Sequence, residues 1–255
     1  MVGGALKGYF TSVGVTPFTY DKGKEEGSIA DVNKADVVFV CVPTPYDEAA
    51  GGFDLSYVRE ALGAIQGEKI VVLKSTIVPG TTATLQKEYP HLKMLYNPEF
   101  LTEITADQDM RFPDRQIIGA TDKSFTVAAD ILAMLPLAPF ERVVTSTAAE
   151  MTKYYGNTWF STKVVFANQM YDLCQKLELD YDIVKECAAA DKRIGRTHLD
   201  IFHKGYRGYG GKCLPKDTRA LIQLGDKLGS EMTLLKEVER INNALVAASE
   251  LEKDR

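Results

Sequence analysis

Two unbroken apolar runs limit what the first half of this chain can become. They are Asp36-Val-Val-Phe-Val-Cys-Val42, stopped by Pro43, and Lys69-Ile-Val-Val-Leu-Lys-Ser75. An alternating pattern would bury one face of a strand, whereas a continuous run suits a strand covered on both faces, as in a parallel sheet between helices. Residues 15–20, 92–96 and 116–118 are weaker strand candidates. Helix-compatible stretches at 5–13, 55–66, 82–89 and 125–135 lie among them. The alternation predicts a doubly wound α/β domain with a parallel sheet.

The second half changes character. Thr147-Ala-Ala-Glu150 has the form of a capping box, in which the Thr oxygen and the Glu carboxylate satisfy free N–H groups reciprocally. Beyond it, Met151, Tyr155, Thr158, Trp159, Thr162, Phe166, Met170, Leu173 and Leu177 recur at three- and four-residue steps. This predicts one long helix over 148–176, followed by helices at 181–190, 218–228 and 232–251. The domains expected are therefore 1–146, α/β, and 147–255, all-helical. The polar-aromatic mixture on the long helix (Tyr154, Tyr155, Trp159) suits an interface and predicts a homodimer.

Composition narrows the function. Lys and Arg total 30 against 35 Asp and Glu, a net charge of -5, which excludes a generally basic nucleic-acid binder. No apolar run approaches the ~18 residues of a membrane helix. The N-terminus shows no basic-then-apolar signal region, so a cytoplasmic protein is expected. Cys41, Cys174, Cys187 and Cys213 form no C-x-x-C pair and have no close histidine, so neither a metal site nor a disulfide framework is predicted.

The chain opens Met1-Val-Gly3-Gly4-Ala-Leu, then a helical stretch, a short β-prone run and Asp21. A Rossmann-like dinucleotide unit places a glycine-started helix before an acidic residue roughly 20 positions on, which holds a ribose. Gly3 and Asp21 suit the last glycine and that carboxylate, with the first strand missing. An ordinary helix start followed by a loop aspartate fits the same residues.

The sharpest signal is Gly208-Tyr-Gly-Gly-Lys-Cys-Leu-Pro-Lys-Asp217. Pro215 suits the first turn of a helix, so Cys213 sits at a helix N-terminus between Lys212 and Lys216. The positive end of the backbone dipole and nearby ammonium groups both favour thiolate. Cys41, Cys174 and Cys187 read as inert.

At these residues the chain resembles the UDP-glucose/GDP-mannose dehydrogenase family, over nearly its whole length and in order. The resemblance rests further on Tyr20-Asp21, Cys41-Val-Pro-Thr-Pro45, Lys74-Ser-Thr-Ile-Val-Pro-Gly80 and Asn97-Pro-Glu-Phe-Leu-Thr-Glu103. It continues through Glu150-Met-Thr-Lys-Tyr-Tyr-Gly-Asn157, Phe166-Ala-Asn168 and Asp191-Lys-Arg-Ile-Gly195. It implies oxidation of a nucleotide sugar's C6 alcohol to a carboxylate in two hydride transfers to NAD, with UDP-glucose the expected substrate. It also implies that Cys213 is the nucleophile, Lys153 stabilises an oxyanion, and Asn157 holds substrate or an ordered water. Asp217 and Thr76 would orient or activate water, and Glu103 would serve proton transfer. Cofactor contacts implied are Gly3, Asp21, Thr44, Thr76, Glu103 and Lys216. Substrate contacts implied are Glu99, Phe100, Leu101, Thr102, Glu103, Lys153, Asn157, Phe202, His203, Lys204, Gly205, Tyr206 and Gly210. Arg193 would reach a phosphate across the dimer.

Plainer readings stand beside these roles. At about 100° per residue, Lys153 and Asn157 fall about 200° and 240° round from Met151, where solvated residues go. Glu99 and Glu103 fit a surface pair, Asp217 a first-turn charge, and Thr76 a turn. The family's third, C-terminal nucleotide-sugar-binding domain is expected to lie outside this chain, and weak or no turnover is expected of the chain alone. GDP-mannose or a UDP-N-acetylhexosamine remain alternative substrates, and a dimerising remnant without activity is the non-enzyme alternative.

Overall fold

A computed structural model of the chain describes residues 1–49, 52–102, 104–203, 205–211 and 213–253, with side chains as far as 249. Two expected site residues, Glu103 and Lys204, and Lys212 beside the cysteine lie outside the described residues. The chain divides into two compact units, Met1–Lys153 and Tyr154–Arg255.

The first unit begins with α1 (Val2–Ser12), the short strands β1 (Tyr20–Asp21) and β2 (Glu26–Gly27), α2 (Ile29–Val32) and β3 (Val37–Val40). A hairpin of β4 (Tyr46–Asp47) and β5 (Gly52–Phe53) precedes α3 (Ser56–Gly63), β6 (Ile70–Leu73), α4 (Thr81–Glu88) and β7 (Lys93–Tyr96). The unit continues through α5 (Ala106–Arg111), β8 (Arg115–Ala120), a 3-10 turn at Phe125–Val127, α6 (Ala128–Ala133) and β9 (Phe140–Thr145). The start of α7 (Ser146–Lys176) ends it.

Five strands form one sheet in the order β3-β6-β7-β8-β9. Its strands twice alternate faces against helices. Val71 and Leu73 of β6 pack with Val58 and Leu62 of α3 and Leu85 of α4. Val72, between them, packs with Ala5, Leu6 and Phe10 of α1 and Ile131 of α6. All three β6 residues are fully buried, each contributing about 1.5–3 kcal/mol. This two-sided cover is why the run carries no alternation.

Three details correct the sequence expectation. The sheet is mixed, because β7 pairs antiparallel with β8 while the other pairs are parallel. A short apolar run carries no information about strand direction. Of the strand expected at 15–20, only Tyr20 is extended in a ladder, and that ladder is the separate β1–β2 hairpin. Pro17 cannot donate to a sheet, and Val15 and Phe18 are exposed. β9 escaped notice because its Phe140, Glu141 and Arg142 face solvent.

The second unit comprises the remainder of α7, α8 (Tyr181–Ala189), a hairpin of β10 (Phe202–His203) and β11 (Tyr206–Arg207), α9 (Leu214–Lys227) and α10 (Thr233–Lys253). The hairpin departs from an all-helical unit. Ala167 and Cys174 of α7 pack with Tyr181, Leu199 and Ile201. Val164 and Val165 pack with Tyr209 and Val238.

Of the three aromatics expected at an interface on α7, Tyr154 is fully buried within the chain, while Tyr155 and Trp159 are 72% and 54% exposed; Phe166, Leu173 and Leu177 are exposed as well. Lys153 and Asn157, which helical phase alone would put in solvent and the resemblance puts in the site, are 6% and 8% exposed. Polar side chains (Lys153, Asn157, Ser161) and apolar ones (Val164, Val165, Ala167, Cys174) together make the face that packs within the chain.

Candidate active site

The parallel strands β3, β6 and β7 end in three segments of the expected motifs. Thr44 Oγ1 donates to the Thr76 carbonyl at 2.7 Å, and Ser75 Oγ donates to the Val42 carbonyl at 2.6 Å, joining the first two. The buried Lys74 ammonium donates to Asn97 Oδ1, and Asn97 Nδ2 donates to the Ile117 carbonyl at 2.9 Å, joining the third. Burial pushes Lys74 down to about 8. Burial likewise pushes the Cys41 thiol up to about 11, against the opposing charge of Lys74. Cys41 is thus a protonated packing thiol. A Cβ on Gly3 would approach Cys41 Cβ to 3.4 Å, so the start of α1 lies close over the end of β3. Asp21 sits in the separate hairpin, its Oδ1 accepting the Gly23 N–H at 3.0 Å and its Oδ2 3.5 Å from Lys24.

Lys153 Nζ lies 2.9 Å from Glu99 Oε1. Burial raises the Glu99 pKa, but the Lys153 charge and hydrogen bond, the Leu101 N–H and the Lys74 charge outweigh it, leaving the carboxyl below its usual value. Phe100 forms a wall of this pair: the Arg115 guanidinium stacks 3.8 Å from its ring centroid and Lys153 Nζ lies 5.8 Å away. Leu101 is partly buried and Thr102 exposed, with the Thr102 N–H donating to Asp109 at 2.8 Å.

Glu150 does not close a capping box. Its carboxylate is fully buried and accepts the Gly80 N–H, the Thr82 N–H at 2.8 Å and the Thr82 hydroxyl at 2.6 Å. Gly80, the residue before α4, has φ 96° and no capping side chain of its own. Glu150 therefore caps α4 from α7 and holds the Pro79–Gly80 turn that leads into it. Burial raises its pKa, opposed by these hydrogen bonds.

In the second unit, Cys213 stands exposed at the N-cap of α9, with Pro215 in the first turn. Asp217, fully buried, accepts a hydrogen bond from Asn157 Nδ2 and one from Lys216 Nζ at 2.6 Å. One turn on, Ser161 Oγ and Thr218 Oγ1 lie 3.0 Å apart. The second unit's portion of α7 thus meets the start of α9 through polar pairs at successive turns, which accounts for the buried Asn157 and Ser161 on that face.

The structure therefore brings Glu99, Phe100 and Lys153 together in one unit, and Asn157, Lys216, Asp217 and the Cys213 helix start together in the other. Thr44 and Thr76 join at the sheet's carboxyl edge, and Asp21 belongs to the separate β1–β2 hairpin. Gly210 lies against the ring of Tyr206, whose ring centroid is 6.4 Å from that of His203. Phe202 and Gly205 are exposed, and Phe202 borders a cleft that also holds Asp180, Asp182, Lys185 and Asp200. Arg193 is exposed and paired with Asp191. Sequence reasoning assigned no role to Lys74, Asn97 or Arg115, and gave Glu150 only a local capping box. A lysine ending an apolar run was the available signal for the first; the others act through partners far along the chain.

Residues 23–134 match the NAD binding domain of the UDP-glucose/GDP-mannose dehydrogenase family, and residues 147–244 match its central domain. The UDP-glucose 6-dehydrogenase of Pseudomonas aeruginosa is 39% identical over 228 residues, 82% of this chain and 48% of that protein. A UDP-glucose dehydrogenase structure from Pyrobaculum islandicum superposes with TM-score 0.77 at 35% identity, covering 93% of this chain and 55% of that one. A GDP-mannose dehydrogenase structure from Pseudomonas aeruginosa gives TM-score 0.57 at 27% identity, covering 94% and 61%. The chain spans about half the length of the curated relatives it matches. With two consecutive domains matched in order and a fold shared with a solved relative, the chain belongs to the UDP-glucose/GDP-mannose dehydrogenase family.

Proposed function

We propose that this protein works as an NAD-dependent UDP-sugar dehydrogenase, oxidising the C6 alcohol of UDP-glucose to the carboxylate through intermediates on Cys213. The observation that carries the reading is Cys213 at the start of α9, beside the buried Asn157–Asp217 pair. UDP-glucose is preferred because relatives named for it match at 39% and 35% identity, against 27% for the GDP-mannose enzyme.

NAD, when bound, supplies the hydride acceptor for each of the two oxidations. The carboxyl edge of β3, β6 and β7 is where it would sit: Thr44 and Thr76 are tied together there, and the start of α1 at Gly3 packs close against Cys41 at the end of β3. Gly3, Asp21, Thr44, Thr76, Glu103 and Lys216 are the residues proposed to hold it, the Asp21 carboxylate favouring NAD over its phosphorylated form.

The chain's own residues then divide the work. The Cys213 thiolate adds to the C6 aldehyde, forming the C–S bond of a thiohemiacetal; loss of hydride gives the thioester, and water cleaves the C–S bond to release acid and thiol. Lys153, held by Glu99, stabilises negative charge developing on the C6 oxygen. Asn157 and Asp217 orient the water, with Thr76, and Glu103 serves proton transfer. Residues 99–103, the 202–206 hairpin and Gly210 are proposed substrate contacts.

The exposed Tyr155, Trp159, Phe166 and Leu173 face of α7 supports a homodimer through this helix. No helix among the described residues is long and apolar enough to cross a membrane.

The test offers UDP-glucose, GDP-mannose and a UDP-N-acetylhexosamine with NAD and follows NADH and acid product. Turnover by these 255 residues alone is expected to be weak or absent; in an intact protein carrying the family's nucleotide-sugar-binding domain, two NADH per uronate from UDP-glucose alone, abolished in Cys213→Ser, is the expected result. Turnover of another sugar nucleotide by that protein changes the substrate assignment. Absence of turnover with all three in the intact protein favours the dimerising remnant.

A further inference from the structure

Asn242, on α10, closes a two-bond clamp on the backbone of Tyr209. Its Oδ1 accepts the Tyr209 N–H at 2.6 Å, and its Nδ2 donates to the Tyr209 carbonyl at 2.9 Å. The amide does for Tyr209 what a neighbouring strand would do, satisfying both main-chain groups of a buried residue. Asn242 itself is 3% exposed.

The adjoining positions are shaped around this clamp. Gly208 has φ +84°, and a Cβ there would lie 2.7 Å from Asn242 Oδ1, so conformation and space both require glycine. A Cβ on Gly210 would fall 2.4 Å from the Tyr206 hydroxyl and 3.0 Å from the ring carbon bearing it. Two turns beyond Asn242 on α10, Ser249 Oγ accepts the Arg207 N–H at 3.0 Å while donating to the Leu245 carbonyl. α10 thus grips alternate amides, Arg207 and Tyr209, of the segment leading to Cys213. It is also tied to α9 by the pairs Arg219–Glu239 at 2.6 Å and Lys236–Asp226 at 2.5 Å. The clamp therefore references the glycine run to the same helix that Cys213 begins.

We infer that Asn242 is a positioning residue for the reactive cysteine: by holding Tyr209 it sets the course of the glycine run and hence the place of the Cys213 thiol at the start of α9. The inference rests on the nucleophile reading proposed above. An apolar residue at 242 would leave the Tyr209 N–H and carbonyl without partners, so the segment would have to move to find them.

The experiment measures iodoacetamide alkylation of each cysteine by peptide mass spectrometry across a pH series. Exposed Cys187 serves as the reference and buried Cys174 as the reporter of native packing. The unsubstituted protein is compared with Asn242→Leu, which removes both bonds, and with the smaller Asn242→Ser, which decides the matter if the first does not fold. The Cys213 midpoint is expected to rise by about one pH unit in the variants, roughly a tenfold loss of rate at neutral pH. Cys187 should be unchanged and Cys174 still protected. A variant with Cys174 protected and the Cys213 profile unmoved overturns the inference. If Cys213 reacts no faster than Cys187 in the unsubstituted protein, the nucleophile reading fails, and this inference with it.

Discussion

The ammonium of Lys153 stands 2.9 Å from a carboxylate oxygen of Glu99, and both side chains are nearly shut off from water. Neither charge has much solvent to fall back on, so each depends on the other. Removing one leaves the other buried and uncompensated, which costs about 3–5 kcal/mol. Glu99→Gln should therefore lower the urea midpoint at pH 7 clearly, and a midpoint equal to the unsubstituted protein would contradict the pairing. The sign of the pH effect follows from the lowered Glu99 pKa. Its contribution is present above the ordinary carboxyl value of about 4.3 and disappears as pH falls through the lower folded value. The gap between the two proteins should narrow below pH 4.

Glu150 predicts the opposite slope. Its pKa is raised by burial, so its contribution is fullest below the unfolded carboxyl value and is lost as pH rises through the folded one. Compared with Glu150→Gln, the unsubstituted protein should lose melting temperature as pH rises above the ordinary carboxyl value of about 4.3 and through the higher folded one. A difference independent of pH across that range would show that the carboxylate's ionisation is not costly there.

Cys213→Ala should abolish formation of the acid product while leaving the far-ultraviolet circular dichroism unchanged, because the thiol is exposed and packs no core. Residual acid formation at the original rate would remove sulfur from the chemistry.

Asp217→Asn keeps the shape of a fully buried side chain but removes its charge between Asn157 and Lys216. A fall in kcat of roughly 100-fold is expected if it orients or activates water. An unchanged kcat with a raised KM would reassign it to binding.

Trp159→Glu places a charge in the exposed apolar face of α7. Light scattering should report a dimer for the unsubstituted protein and a monomer for the variant. A dimer in both would move the interface elsewhere.

Much of this architecture could be read from local pattern, and the exceptions share a cause. β6 and β3 announced themselves by unbroken apolar runs, and α7 begins within two residues of the expected start. β9 did not, since a solvent-facing edge strand looks like a polar loop. On α7, periodicity located the stripe, whose outward face leaves Tyr155 and Trp159 available for the expected interface while Tyr154 turns inward. The stripe faces outward because Lys153 finds Glu99 and Asn157 finds Asp217, both remote in sequence. Buried polar groups are fixed by partners, and a helical wheel holds no record of partners. The site residues were legible only through the joint presence of their motifs; spacing alone would have left Lys153 and Asn157 in solvent. Glu150 was misread for the same reason, its local capping box giving way to donors on another helix.

That last contact bears on how the chain can be dissected. The start of α4 is completed by a carboxylate that the ribosome delivers some seventy residues later. Cutting at 146, where the change of sequence pattern invites it, would strip the amino-terminal piece of that carboxylate and leave the Gly80 and Thr82 donors without their acceptor in the protein. A shortened piece meant to fold independently should run past Lys153, taking the opening turns of the long helix with it.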